Sequence, residues 1–480
     1  MSQLKLSKES WSSQTVFIMA AVGSAVGLGN LWKFPYITGE NGGGAFVLVY
    51  LACILLIGIP VLVSEIALGR AGKANPVQAM ANLARESGVS RVWALLGVNG
   101  VLASALILSF YTVIAGWAFA YFLDSFRGSF IDISADKAGN HFGAMLANPY
   151  ELMFWHSVVL FISVYIVSRG IKSGLEKAIN FMIPGLFLIL LVLLGYASTT
   201  GYFGQSFRFL FSPDFSKLSW EAVLTAMGHA FFTLSIGLGT MMVYGSYVSQ
   251  KQSIVKAGLW IAFADTLVAL LAGLVIFSVV FANQLEPGSG PGLLFQTLPV
   301  AFGQMTGGWF FGTLFFALVV MAALSSAISL LEPVVSWLEQ NWGFSRGKSS
   351  WGVGLLIWFF GVGTVLSFNL WQDVPILGER NFFESVDFLT ANIMLPLGGL
   401  LIAVFVAWSL RPMIREHQIQ LTPSWEKVLM FDLRWIAPPA IMVVFATNLV
   451  SSQYVVFLVG ATLLLYAFYI QRSARDLKRV

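Results

Sequence analysis

Gly23-Ser24-Ala25-Val26-Gly27-Leu28-Gly29-Asn30 lies in the middle of the first long apolar segment of this chain, which runs from about Gln14 to Thr38. A segment of that length crosses a bilayer as a helix. Glycine in a helix interior costs about 1 kcal/mol relative to alanine, and a plain anchor carries Leu, Ile or Val at this depth. Backbone that leaves the helix inside a bilayer has to find polar partners or line a cavity. The stretch therefore predicts either a broken helix whose main-chain groups form a binding site, or close helix packing through small residues. On this stretch alone both readings stand.

The rest of the chain sets the class. Of its 480 residues, 57% are hydrophobic and only 10% charged, which predicts a polytopic membrane protein forming one unit over residues 1–480. Cys53 is the sole cysteine, so an intramolecular disulfide and a cysteine-based metal cluster are excluded and a packed thiol is expected. The net charge of +4 does not point to nucleic acid, because the cations flank apolar spans and form no dense basic patch with interleaved aromatics. No small-residue cleavage site follows the first apolar run, so that run is read as retained.

Twelve apolar spans are predicted, at about 14–38, 43–69, 91–124, 152–169, 175–198, 220–247, 257–283, 308–340, 351–371, 384–410, 434–451 and 453–471. The third and eighth are long enough to tilt or to extend beyond the bilayer. Of the 27 Lys and Arg, twenty-one fall in the N-terminus and the alternate segments that share its side, five fall on the other side, and Lys33 lies inside the first span. That asymmetry places both termini in the cytoplasm. Between spans seven and eight, Glu286-Pro287-Gly288-Ser289-Gly290-Pro291-Gly292 is followed by the apolar run Leu293 to Phe302, read as an external lid that dips toward the membrane.

The sixth span is interrupted in the same manner, at Phe231-Phe232-Thr233-Leu234-Ser235-Ile236-Gly237-Leu238-Gly239-Thr240. If spans 1–5 and 6–10 are two repeats, the interruptions occupy matching places, which points to a transporter site between them and favours broken helices over simple packing. An enzyme of this size would show metal-ligand spacing or a nucleophile with its base. The chain has no His-Glu-x-x-His, no convincing triad and only four histidines.

These residues resemble the neurotransmitter:sodium symporter family, and its bacterial amino-acid transporters in particular. The likeness covers nearly the whole chain: Gly23 to Pro35 with Trp32-Lys33-Phe34-Pro35, Asn41-Gly42-Gly43-Gly44-Ala45-Phe46, Gly58-Ile59-Pro60, Glu65 to Arg70, Tyr111 with Trp117, Gly170 to Glu176, Phe231 to Gly239, Gly273 to Phe277, and Leu324-Ser325-Ser326. The resemblance implies an all-α membrane protein with the leucine-transporter fold. That fold has twelve transmembrane helices, a 5+5 inverted repeat with helices 1 and 6 broken (about 14–198 and 220–410), and two further helices (about 434–471). It implies sodium-coupled symport of a small molecule in the plasma membrane, not an enzyme.

By the same resemblance a zwitterionic amino acid meets Leu28 and Gly29 amides and the Tyr111 hydroxyl with its carboxylate. Carbonyls of Ala25, Phe232 and Ser235 take its ammonium. Ser24, Gly27 and Thr233 lie beside them, and Ile107, Leu238, Ser326, Ser329 and Leu330 complete the pocket. The monoamine branch carries an aspartate where this chain has Gly27, so glycine favours a substrate with its own carboxylate, and the apolar lining favours neutral hydrophobic or aromatic amino acids. Two sodium ions are implied. One is held by Ala25, Asn30, Thr233, Asp265 and the substrate; the other by Gly23, Val26, Ala322, Ser325 and Ser326. Asp265 replaces a common asparagine, and the position one turn later that is a glutamate in some relatives is Ala269, so Asp265 is expected to make transport independent of chloride. His229 stands where relatives have glutamine. A neutral, hydrogen-bonded histidine is expected there, with pH-sensitive transport as the alternative.

Lys33 and Asp387 match the family's outer ion-pair gate, with lysine in place of the usual arginine. Lys8 and Trp11 resemble its inner latch, whose usual aspartate partner aligns with Gln340 beside Glu339. Competing readings are a symporter of the same fold for taurine, betaine or a small amine, and a membrane amino-acid sensor or channel. The implied partners are a small amino acid, sodium and the lipid bilayer.

Overall fold

Backbone groups inside a bilayer must bond to one another, and the described residues meet that demand mainly with helices. The structure is a computed structural model that describes residues 10–285 and 292–449. Among the described residues there is no β-sheet, only an isolated bridge between Leu377 and Arg380.

Among the described residues, nine uninterrupted helical segments are long and apolar enough to span a membrane: Gly44–Gly72, Arg91–Phe126, Pro149–Ser168, Ile171–Ser198, Ile254–Ala282, Gly308–Trp342, Arg346–Leu366, Phe382–Ser409 and Pro423–Thr447. The first span is two helices, Gln14–Ala25 and Gly29–Glu40, bent by 50°. The sixth is Trp220–Thr233 and Thr240–Ser246 with non-helical backbone between them. The predicted span at 453–471 lies outside the described residues. The eleventh starts at Pro423, well before the expected residue 434. Pro423 opens this helix at its first turn, and Glu426, Lys427, Asp432 and Arg434 lie along it.

The third and eighth spans, 36 and 35 residues long, pack side by side through the centre. The second span lies against the Thr240–Ser246 half of the sixth at backbone contact, the half on the same face as the N-terminus. A Cβ on Gly69 would sit 1.9 Å from the Met242 carbonyl oxygen, and one on Gly245 would sit 2.4 Å from that of Ile66. Leu293–Thr297 and Leu298–Gln304, the segment read as a lid, form two short helices that do not span, with Phe295 buried against Trp117, Tyr121 and Phe142.

Candidate functional site

The first break begins at Val26, which leaves the helix with φ −72° and ψ 110°. Amides released there find side chains. Gly27 donates to Asn30 Oδ1 at 3.0 Å, and Leu28 donates to the Tyr111 hydroxyl at 3.3 Å. In the sixth span Ser235, Gly237 and Gly239 adopt φ of 54°, 81° and 73°. At Gly237 a side chain would be strained, and its Cβ would lie 2.9 Å from the Leu395 carbonyl oxygen, so glycine alone fits. The Gly237 amide donates to Glu65 Oε2 at 2.9 Å, and the Ser235 hydroxyl donates to the Ser24 carbonyl at 3.0 Å, tying one break to the other.

The two breaks enclose one hollow with charge character at its walls. The N-terminal end of the Gly29–Glu40 segment presents the positive end of its dipole, while Gln14–Ala25 and Trp220–Thr233 present carbonyl ends. The structure brings together Ser24, Ala25, Gly27, Leu28, Gly29, Ile107, Tyr111, Phe232, Thr233, Ser235, Leu238, Ser326 and Leu330 around it. Ser329 is not on this wall: its hydroxyl donates to the Ser325 carbonyl at 2.8 Å and accepts from Tyr244 at 2.8 Å. The hollow is about 30 Å³, the room of one water, with Phe232, Leu238 and Leu330 among its walls. A Cβ on Gly27 would lie 2.5 Å from Ser326 Oγ and 2.9 Å from Tyr111 Oη, which leaves no room for an aspartate.

Two groups of oxygens flank the hollow. Asn30 Nδ2 donates to Asp265 Oδ1 at 2.7 Å and to Thr233 Oγ1 at 3.2 Å, and Thr233 Oγ1 donates to the Asp265 carboxylate at 3.0 Å. All three residues are buried, so the carboxylate sits among neutral partners in an apolar bundle, a setting that favours a cation beside it. On the other side, Ser326 Oγ lies 3.4, 3.3 and 3.2 Å from the carbonyl oxygens of Gly23, Ser24 and Val26. Ser325 Oγ donates to the Ala322 carbonyl at 3.0 Å. One hydroxyl proton cannot satisfy three carbonyls, and this surplus of oxygen fits a hard cation.

On the face opposite the N-terminus a cavity of about 460 Å³ leads to the hollow. Its walls include Trp32, Lys33, Tyr36, Trp117, Phe142 and Asp387, and Phe232 and Tyr111 line both spaces. The expected Lys33–Asp387 ion pair is not made: among the described residues no contact joins them within 4 Å. The Lys33 ammonium lies instead over the Phe232 ring, 4.9 Å from its centroid. A lone ammonium on a flexible stem lacks the guanidinium fork and takes the nearer aromatic face.

Toward the N-terminal face, Trp11 is buried and donates its indole N–H to the Tyr244 carbonyl at 3.0 Å. Lys8 lies outside the described residues. Gln340, where the inner acidic partner aligns, is engaged by the Asn75 amide and side chain at 2.7 and 2.9 Å. Glu339 lies 3.5 Å from Arg346, whose guanidinium also forks onto buried Glu332. His229, expected to be hydrogen-bonded, has no partner on either ring nitrogen among the described residues and packs against Phe34 and Tyr50. Sequence reasoning gave no role to Glu65, Arg70 or Glu332. An ionised residue inside an apolar span was the signal available for each.

The comparisons with known proteins agree with this geometry. The model of the sodium:neurotransmitter symporter family matches residues 8–134 and 129–459. The chain is 37% identical to an uncharacterized sodium-dependent transporter, YhdH, of Bacillus subtilis, covering 91% of this chain and 96% of that protein. It is 32% identical to an uncharacterized sodium-dependent transporter of Haemophilus influenzae, over 92% of this chain and 98% of the other. Its fold matches the crystal structure of MhsT in complex with L-phenylalanine with a TM-score of 0.85 and 41% identity, covering 92% of this chain and 99% of that one. With a leucine-transporter fold, two broken spans meeting at one hollow and these relatives, the chain is a multi-pass membrane protein that belongs to the sodium:neurotransmitter symporter family.

Proposed function

We propose that this protein couples the inward movement of a neutral, hydrophobic or aromatic L-amino acid to sodium, by alternating access and without chloride. One observation carries the reading: a free helix N-terminus and the Tyr111 hydroxyl meet on one side of a hollow whose other side is made of carbonyl ends. That arrangement suits a zwitterion, carboxylate to Leu28, Gly29 and Tyr111, ammonium to Ala25, Phe232 and Ser235. The absence of space at Gly27 supports a substrate that brings its own carboxylate, and the L-phenylalanine bound to MhsT supports an apolar side chain.

Sodium is cargo here. Asn30, Thr233, Asp265 and the Ala25 carbonyl would hold one ion next to the substrate carboxylate, so that each raises the affinity of the other. Gly23, Val26, Ala322, Ser325 and Ser326 would hold a second. Asp265 supplies a fixed negative charge beside the first ion, which is the role an anion would otherwise fill. Phe232 and Tyr111 close over the substrate, and Lys33 and Asp387 approach each other above them. Trp11 braces the closed inner side. The N-terminal face is cytoplasmic, the whole chain is one transporter domain with repeats at about 14–198 and 220–410, and the home membrane is the plasma membrane.

Uptake of a labelled amino-acid panel into proteoliposomes, with and without an inward sodium gradient, tests the reading. Accumulation of Phe, Trp or Leu that requires the gradient is expected. Accumulation of taurine or betaine alone would change the substrate class. Saturable binding with no accumulation would make the protein a sensor, and sodium flux that does not saturate with substrate would make it a channel.

A further inference from the structure

Arg70 is one of the largest side chains fully shielded from solvent, and among the described residues no carboxylate lies within ion-pair distance of it. Its donors point at neutral oxygens. Nε donates to Gln418 Oε1 at 2.8 Å, one terminal nitrogen donates to the Gln418 carbonyl, and the other donates to the carbonyls of Ser249 and Gln252. A buried guanidinium without compensation is costly. Helix ends provide the compensation. Arg70 lies in the last turn of Ile59–Gly72, and Gln418 in the last turn of Pro412–Ile419, which ends at left-handed Gln420. Ser249 and Gln252 lie in the turn between Thr240–Ser246 and Ile254–Ala282, where their carbonyls add neutral acceptors. C-terminal helix ends carry unpaired carbonyls and the negative end of the dipole.

The two sets of acceptors belong to different segments, the turn after the sixth span and the short helix after the tenth. Ser249 and Gln252 continue from the inner half of the sixth span, which is locked to the second span by the backbone contacts at Gly69 and Gly245. Gln418 belongs to the short helix that follows the tenth span. The guanidinium therefore bridges a joint. If the joint opens, the bonds to Gln418 break while those to Ser249 and Gln252 persist, so the charge keeps partners in both states.

We propose that Arg70 is a positioning residue of the transport cycle, latching the second span and the inner half of the sixth to the Pro412–Ile419 helix while the inner face is closed. The latch rests on the alternating-access reading given above. Its loss shifts the protein toward the inward-open state.

Hydrogen exchange on the full chain in lipid nanodiscs, in sodium and in potassium, tests it. In the unmodified protein sodium is expected to slow exchange over residues 10–25 and 244–252 and to speed it over the lid at 293–304. Arg70→Gln and Gln418→Ala should each raise exchange at the inner segments by about tenfold in sodium, the weight of one bond to a charged group, and slow it at the lid. Arg70→Lys should fall between. Gln418→Ala removes one bond and keeps the charge, so it reports even if Arg70→Gln does not fold. Faster exchange around residues 249–252 and 412–420 with no slowing at the lid would mean a structural cation only and overturn the latch. A sodium response in the unmodified protein that these variants leave unchanged overturns the latch alone; no reciprocal sodium response at all overturns alternating access with it.

Discussion

Glu65, on the second span, accepts the backbone amide of Gly237 at 2.9 Å, so a carboxylate on one helix caps the gap in another. The gap exists because Gly237 sits at φ 81°, and its amide has no helical partner. Replacing Glu65 with leucine leaves that amide buried and unsatisfied, at about 1–3 kcal/mol. Glu65→Leu should lower the thermal unfolding midpoint and abolish sodium-driven uptake. Glu65→Gln retains an acceptor oxygen and should keep most of both. Equal loss in the two variants would assign the effect to charge and not to the cap.

Gly27 has no space for a Cβ between Ser326 Oγ and Tyr111 Oη, at 2.5 and 2.9 Å. Gly27→Ala overpacks a tight site, which costs about 1–3 kcal/mol. Substrate titration of uptake should show apparent affinity falling by roughly tenfold or more. Gly27→Asp should fall further, because its carboxylate also competes with that of the substrate.

Ser326 Oγ faces three carbonyls of the first break. Ser326→Ala removes one oxygen from the proposed second sodium site and leaves the carbonyls. The sodium concentration that half-saturates uptake should rise by about tenfold, with a smaller change in the maximal rate. An unchanged sodium curve would place the ion elsewhere.

Asp265 is buried with Asn30 and Thr233 as its neutral partners. Uptake by the unmodified protein should be equal in chloride and in gluconate. Asp265→Asn removes the fixed charge, so uptake in gluconate should collapse and chloride should restore part of it. Collapse of unmodified uptake in gluconate would refute chloride independence.

His141, on the Ala135–Ala147 helix, lies 3.0 Å from Asp124 through Nε2. The hydrogen bond to that carboxylate raises the imidazole above its ordinary value, against the opposing effect of partial burial. A raised folded value means the contact contributes fully below about pH 6.5 and is lost as pH rises through the higher folded value. Protection factors over residues 135–147, with the intrinsic base-catalysed rate divided out, should therefore fall as the solution is made alkaline, and Asp124→Asn should flatten that dependence. Phe142 on the same helix stacks on Phe295 of the lid, so the outer cavity wall should loosen with it.

The sequence alone determined the class, the span count through the tenth helix and the places where two helices break. Each rests on local chemistry: apolar length, the Lys and Arg asymmetry, and glycines at Gly27, Gly29, Gly237 and Gly239 that release the backbone within a few residues. The eleventh helical segment extends N-terminal of the predicted apolar span, because the charged turns from Pro423 carry no apolar signal. Only the tertiary structure decided which side chains meet. That Glu65 caps Gly237, that Arg70 reaches Gln418 348 positions away, that Lys33 lies on Phe232 instead of Asp387, and that Ser329 turns toward Tyr244 all depend on how each helix is rotated against its neighbours. Rotation is set by packing of whole surfaces, through contacts between residues hundreds apart, and no short stretch of sequence encodes it.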